Sequence, residues 1–120
     1  MTTVNTTRCV EAYFRFLRSM ADLEALTGMD QFGVNERALF QEILLAWSIE
    51  EPLSVRQAID IERLGSPATL HKRLSRLRKM DLIDAVSEEG DRRTKFLVPT
   101  RKGLNYVEKI SKAFQQSLPA

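Results

Sequence analysis

Ser66-Pro67-Ala68-Thr69-Leu70-His71-Lys72-Arg73-Leu74-Ser75-Arg76-Leu77-Arg78-Lys79-Met80 is the stretch on which the fold turns. Serine followed by proline opens a helix: the serine oxygen accepts a free N–H of the first turn, and proline has no N–H to leave unsatisfied. Leu70, Leu74 and Leu77 recur at i, i+4 and i+7, which predicts one inward stripe on a helix from about Pro67 to Met80. The opposite face carries Ala68, Thr69, Lys72, Ser75, Arg76 and Lys79, flanked by Arg73 and Arg78. Residues 66–80 hold five Lys and Arg side chains and no Asp or Glu. A helix that merely faces water usually interleaves glutamate with lysine for i, i+4 pairing, so a face without acids points to a polyanion. Small Ala68 and Ser75 permit close approach, while Lys and Arg supply contacts to phosphate or guanine.

Just upstream, Ser54 is placed to cap a short helix through about Arg63, with Val55, Ala58, Ile59 and Ile61 available to pack inward and Gly65 stopping it. Two short helices about a glycine-containing turn make a helix-turn-helix candidate. Downstream the period becomes strand-like: Leu82–Ser87, the polar turn Glu88-Glu89-Gly90-Asp91, then Arg93–Val98 with Thr94, Phe96 and Val98 on one face. The expected β-hairpin carries Arg92, Arg93 and Lys95 on its far side, so a second basic block sits at the tip of a ribbon.

The flanks read as helices. Arg8–Leu26 spreads Val10, Tyr13, Phe14, Phe16, Leu17, Met20, Leu23 and Leu26 around more than half of its circumference, with a polar stripe of Glu11, Arg15, Arg18 and Asp22. Such a helix needs partners on two sides, either all within one chain or including a second subunit. Asn35 is the expected N-cap of a helix running to about Glu50 and ended by Glu51-Pro52, whose Leu39, Phe40, Ile43, Leu44, Leu45, Trp47 and Ile49 leave almost no exposed face. Thr100 is the expected cap of a last helix to about Leu118, striped by Val107, Ile110, Phe114 and Leu118.

With 120 residues the chain has material for one domain of ordinary globular composition, 43% hydrophobic and 28% charged. Its net charge of +2 hides an uneven distribution. Residues 66–80 and 91–103 are basic, whereas residues 1–65 and 81–90 are acidic. No apolar run approaches the ~20 residues of a membrane helix, and Met1–Val10 lacks the pattern of a secretory signal, so a cytoplasmic protein without a membrane partner is expected. One cysteine, Cys9, and one histidine, His71, supply too few soft ligands for a zinc or iron centre, so no metal or other cofactor is expected. Neither a nucleophile beside a base nor a phosphate-cradling glycine loop is marked, which argues against an enzyme.

The order helix-turn-helix then ribbon is that of a winged helix, and the residues bear a family likeness. Asp91-Arg92-Arg93-Thr94-Lys95-Phe96-Leu97-Val98-Pro99-Thr100-Arg101-Lys102-Gly103 resembles the wing and following helix start of the multiple-antibiotic-resistance regulator (MarR) family, whose pattern is Asp-x-Arg, six variable residues, then Thr-x-x-Gly. Ser66–Leu74 resembles the recognition helix of that family, and Pro52-Leu53-Ser54-Val55 the approach to its helix-turn-helix. The resemblance covers roughly residues 37–105.

It implies a mainly α fold with a small β-hairpin. A winged helix-turn-helix over residues 35–99 is flanked by dimerisation helices at 1–30 and 100–120, in one domain. It also implies a homodimer that binds double-stranded DNA sequence-specifically at an inverted-repeat operator and regulates transcription. Ser66, Thr69, Lys72, Arg73, Ser75, Arg76 and Lys79 of the recognition helix would contact the major groove or its phosphates, with Arg92, Arg93 and Lys95 on the wing. Asp91 would brace the wing arginines, and His71 would be structural or touch phosphate. Members of the family also release DNA on binding a small aromatic effector, which no residue here identifies. Some sense peroxide through a cysteine near the start of the first helix, where Cys9 stands, so a thiol-based sensor is one alternative to a lone buried thiol. A winged helix docking an acidic protein in place of DNA is the other alternative function.

Overall fold

The computed structural model describes residues 3–29 and 32–119, with side chains from residue 7 onward. The elements are α1 (Thr3–Thr27), α2 (Val34–Ser48), α3 (Val55–Ile59), a 3₁₀ turn (Glu62–Leu64), α4 (Pro67–Lys79), β1 (Ile83–Glu88), β2 (Asp91–Pro99) and α5 (Arg101–Ser117). They form two compact units, one of residues 32–104 and one of residues up to 31 with those from 105 onward.

The first unit is a winged helix-turn-helix. α2 packs on α4 and β2, α3 packs on the same two elements, and α4 touches β1. Leu39 and Ile43 of α2, Leu70 and Leu77 of α4, Leu82 and Leu97 are completely buried. Each contributes about 1.5–3 kcal/mol by leaving water. The stripe expected on α4 is therefore the one the core uses, with Leu74 also buried.

Both helix-turn-helix caps form as the serines suggest. Ser66 Oγ accepts the Thr69 N–H at 3.3 Å. Ser54 forms a reciprocal box with Gln57, its Oγ accepting the Gln57 N–H while its own N–H donates to Gln57 Oε1. The helix expected through Arg63 instead stops at Ile59, and a separate 3₁₀ turn follows. Gly65 ends that turn, with a φ of 146° and ψ of −177° that belong to a region open to glycine alone.

Two helices end in Schellman motifs without glycine. After α2, Glu51 N–H reaches Ala46 O and Glu50 N–H reaches Trp47 O, with Glu50 at φ 63°. After α4, Leu82 N–H reaches Leu77 O and Asp81 N–H reaches Arg78 O, with Asp81 at φ 59°. α2 thus ends at Ser48, short of Glu50, and it is capped by Gly33, with Asn35 already inside the helix. Nor is α2 core all round. Leu45 and Ile49 are 63% and 66% exposed, because only the face bearing Leu39, Phe40 and Ile43 meets the rest of the core.

β1 and β2 pair antiparallel, with Ile83 opposite Pro99, Ala85 opposite Leu97 and Ser87 opposite Lys95. Beyond Ser87 the register slips and Glu88 faces Asp91, which leaves residues 92–94 without partners on β1. The approach to α3 adds a short third rung, Leu97 N–H donating to Leu53 O at 2.8 Å and Ser54 bridging Phe96. The buried face of β2 is Leu97 and Pro99, whereas Phe96 and Val98 are half-buried. Three consecutive apolar residues hid this parity in the sequence.

Thr100 and Gly103 join the hairpin to α5. Thr100 Oγ1 accepts the Gly103 N–H at 3.0 Å and donates to Asp81 O. Lys102 Nζ donates to Met80 O at 2.9 Å. Gly103 lies against the Leu82 backbone so closely that a Cβ would stand 2.3 Å from Leu82 O.

The second unit is helical. α1 begins at Thr3, earlier than the expected Arg8. Arg15 donates to Ser117 O through Nε at 3.2 Å and Nη2 at 2.9 Å, and the Phe16 and Phe114 rings stand nearly perpendicular with centroids 6.0 Å apart. The buried residues of α5 here are Tyr106, Ala113 and Ser117. Phe114 and Leu118, expected on the packed stripe, are 54% and 50% exposed. Val10, Tyr13, Phe14 and Leu17 of α1 are exposed as well. Cys9 is exposed, not a buried thiol. No helix among the described residues is long and apolar enough to cross a membrane.

Candidate nucleic-acid interface

Burying Leu70, Leu74 and Leu77 turns the opposite side of α4 outward by helical geometry alone. Lys72, Ser75, Arg76 and Lys79 are exposed there, as are His71 and Arg78. Lys72, Lys79 and Arg78 pair with no carboxylate among the described residues. A shallow depression of about 570 Å³ runs along this face, lined by His71, Lys72, Arg73, Ser75, Arg76 and Lys79.

One acid does reach it. Glu36, in the first turn of α2, also lines the depression, and its Oε1 lies 3.6 Å from Arg76 Nε. The sequence expectation of a face without acids holds for α4 itself but not for the folded surface, because α2 crosses beside it. At such exposure the pair contributes at most about 1 kcal/mol.

Three expected contact residues are occupied by the fold. Ser66 Oγ donates to Thr69 Oγ1 at 2.9 Å while capping α4. Thr69 is half-buried beneath that cap. Arg73 is half-buried and its Nη1 donates to Leu64 O, so it closes the turn ahead of α4.

On the wing, Arg92 and Arg93 are exposed and have no carboxylate partner among the described residues. Asp91 braces the backbone at Arg93 and Thr94, not the guanidinium groups. Its Oδ1 accepts the Arg93 N–H at 2.9 Å and the Thr94 N–H at 3.4 Å. These bonds favour the carboxylate form. They hold the Asp91 pKa below its ordinary value, the Arg93 N–H contributing most, then the Thr94 hydroxyl and the Thr94 N–H. Lys95 Nζ donates across the ribbon to Ser87 Oγ at 2.7 Å.

Sequence reasoning missed Glu36 and Arg56. Arg56 is exposed on α3 and shares a depression with Arg93 and Lys95. The long-range pairing of Ser54 with Phe96 and the Leu97 N–H to Leu53 O bond bring α3 to the wing.

A two-stranded wing following a helix-turn-helix, with α4 turning its basic face outward, defines a winged helix-turn-helix fold. No protein-family model and no curated protein matches the sequence. Solved structures do. The chain is similar to a transcriptional regulator from Thermotoga maritima, at 21% identity and TM-score 0.55, covering 87% of this chain and 73% of that one. It is also similar to S. aureus MepR in complex with DNA, at 19% identity and TM-score 0.58, with 87% and 83% covered. The heme sensor protein PefR from Streptococcus agalactiae gives 14% identity and TM-score 0.59, with 94% and 74% covered. At these identities the likeness is one of fold.

Proposed function

We propose that this protein is a sequence-specific, duplex-DNA-binding transcriptional regulator, working as a cytoplasmic homodimer on an inverted-repeat operator. The observation that carries the reading is the outer face of α4, where exposed Lys72 and Lys79 stand without carboxylate partners among the described residues. The wing of the same unit presents Arg92 and Arg93 in the same condition. MepR, one of the similar structures, is bound to DNA, which supports the reading. Lys72, Ser75, Arg76 and Lys79 would enter the major groove. Arg92 and Arg93 would reach the adjacent minor groove, where a narrow A·T-rich stretch attracts arginine by its potential. The exposed apolar residues of α1, with Phe114 and Leu118 of α5, support pairing with a second copy. Two recognition helices would then meet successive major grooves about one helical turn apart.

Gel-shift titration over a range of salt on a selected operator tests the reading. Lys72→Ala and Arg93→Ala should each weaken binding and reduce the slope of log K against log salt by about one. Unchanged affinity and slope in both variants would overturn it. Light scattering tests the homodimer, and a strict monomer would favour a module that docks an acidic protein.

A further inference from the structure

Glu36 stands where two helices meet. It occupies the first turn of α2, and α2 packs on α4. Its Oε1 lies 3.6 Å from Arg76 Nε, and its Oε2 lies over Gly33, in space that a Cβ there would take. The Glu36 side chain is only 19% exposed, against 51% for Arg76. A carboxylate in a first turn is also favoured by the positive end of its own helix. The acid is therefore held from the α2 side as well as by Arg76. Among the described residues it is the one acid lining the depression along α4.

We infer that Glu36 sets sequence selectivity: by neutralising Arg76 it holds that side chain back from phosphate and reserves it for a base edge. The inference rests on the DNA-binding reading above. A carboxylate 3.6 Å from a cation lies well inside the screening length of about 8–10 Å, so a phosphate approaching Arg76 also meets the charge of Glu36. The acceptors on a guanine edge are neutral, and the carboxylate repels them far less. A guanidinium carries five N–H donors in a planar fork, so a carboxylate on the Nε side does not exhaust its capacity to bond a base. Binding to arbitrary DNA rests on phosphate, whereas base contacts are made only at the matching site. The pair consequently weakens binding to arbitrary DNA more than binding to the operator, which makes Glu36 a positioning residue that touches no base itself.

The experiment measures binding of the full chain to a selected operator duplex and to an unrelated duplex across a salt series. The proteins are wild type, Glu36→Gln, Arg76→Ala, the double variant and Glu108→Gln. Glu108 lies on α5, paired with Lys112, and matches the change in charge. Circular dichroism and melting confirm that each variant folds, and Glu36→Ala takes the place of Glu36→Gln if the latter does not. The readout is the ratio of operator affinity to unrelated affinity; damage to the fold would weaken both instead of tightening one. In Glu36→Gln the unrelated duplex should be bound severalfold more tightly, with a salt slope steeper by about one, while the operator gains less, so that the ratio falls severalfold. On the Arg76→Ala background Glu36→Gln should leave the ratio where it stands, and Glu108→Gln should keep the wild-type ratio. An unchanged ratio in Glu36→Gln overturns the inference alone, as does an equal fall in Glu108→Gln or on the Arg76→Ala background. If wild type binds no duplex, or binds both equally, the proposed function fails and the inference falls with it.

Discussion

Replacing Gly103 by alanine should destabilise the winged helix, although the residue lies within a helix, where the same change normally helps. In a solvent-facing helix Gly→Ala gains about 1 kcal/mol. Here the new Cβ would meet Leu82 O at 2.3 Å and Leu82 C at 3.2 Å, and both are backbone atoms that no rotamer change can move. Relief requires α5 to retreat from residues 81–82, and overpacking of this kind costs about 1–3 kcal/mol. The retreat also stretches the bonds from Thr100 to Asp81 O and from Thr100 N–H to Leu82 O, each worth about 0.5–1.5 kcal/mol. Set against the helix gain, the net loss is about 1–3 kcal/mol, or several degrees in Tm. Urea unfolding followed by circular dichroism and by the fluorescence of Trp47, the single tryptophan, measures it. Amide exchange at Thr100 should quicken in parallel. A Gly103→Ala protein as stable as the parent, or more so, would refute the reasoning.

Glu50→Gly should raise stability by about 0.5–1 kcal/mol in the same urea assay, since glycine removes the strain of a left-handed residue at the end of α2; a fall in stability would count against the Schellman geometry. Glu36→Gln should strengthen DNA binding and steepen its salt slope, because phosphate no longer competes with a carboxylate for Arg76; an unchanged slope would show that the carboxylate does not compete. For Asp91, whose folded pKa is lowered, the wing contacts are fully present above the ordinary carboxylate range and are lost as pH falls through the lower folded value. NMR shifts of the Arg93 and Thr94 amides should therefore titrate together with a midpoint below the usual Asp value, and a midpoint at or above that value would contradict the bracing role.

The parts of the fold that the sequence made legible are those set by neighbours in the chain. Ser66-Pro67 and the leucines at 70, 74 and 77 fix α4 through a local cap and a local period, and both stand where expected. The hairpin was readable from its polar turn. Its buried parity was not, because Phe96, Leu97 and Val98 are equally apolar and only packing on α2 and α3 selects Leu97. α5 failed in the same way: amphipathy marked Phe114 and Leu118 as inward, yet the packed face follows Tyr106, Ala113 and Ser117. In the candidate site, the cations of α4 and the wing were visible as charge without compensation nearby in sequence. Glu36 beside Arg76 and Arg56 beside Arg93 were not, since each pair is brought together by tertiary contacts between residues far apart in the chain.

The slip in the ribbon's register separates two jobs within one hairpin. Below Ser87 and Lys95 each rung is matched, and the matched rungs include the residues buried in the core. Above them, residues 92–94 answer to no rung and are shaped by a single carboxylate. Adding or removing residues at the tip would therefore change how far the arginines extend without disturbing the base, for the small entropic cost of a longer loop. Reach is in this sense an adjustable dimension of the molecule, separable from the scaffold beneath it.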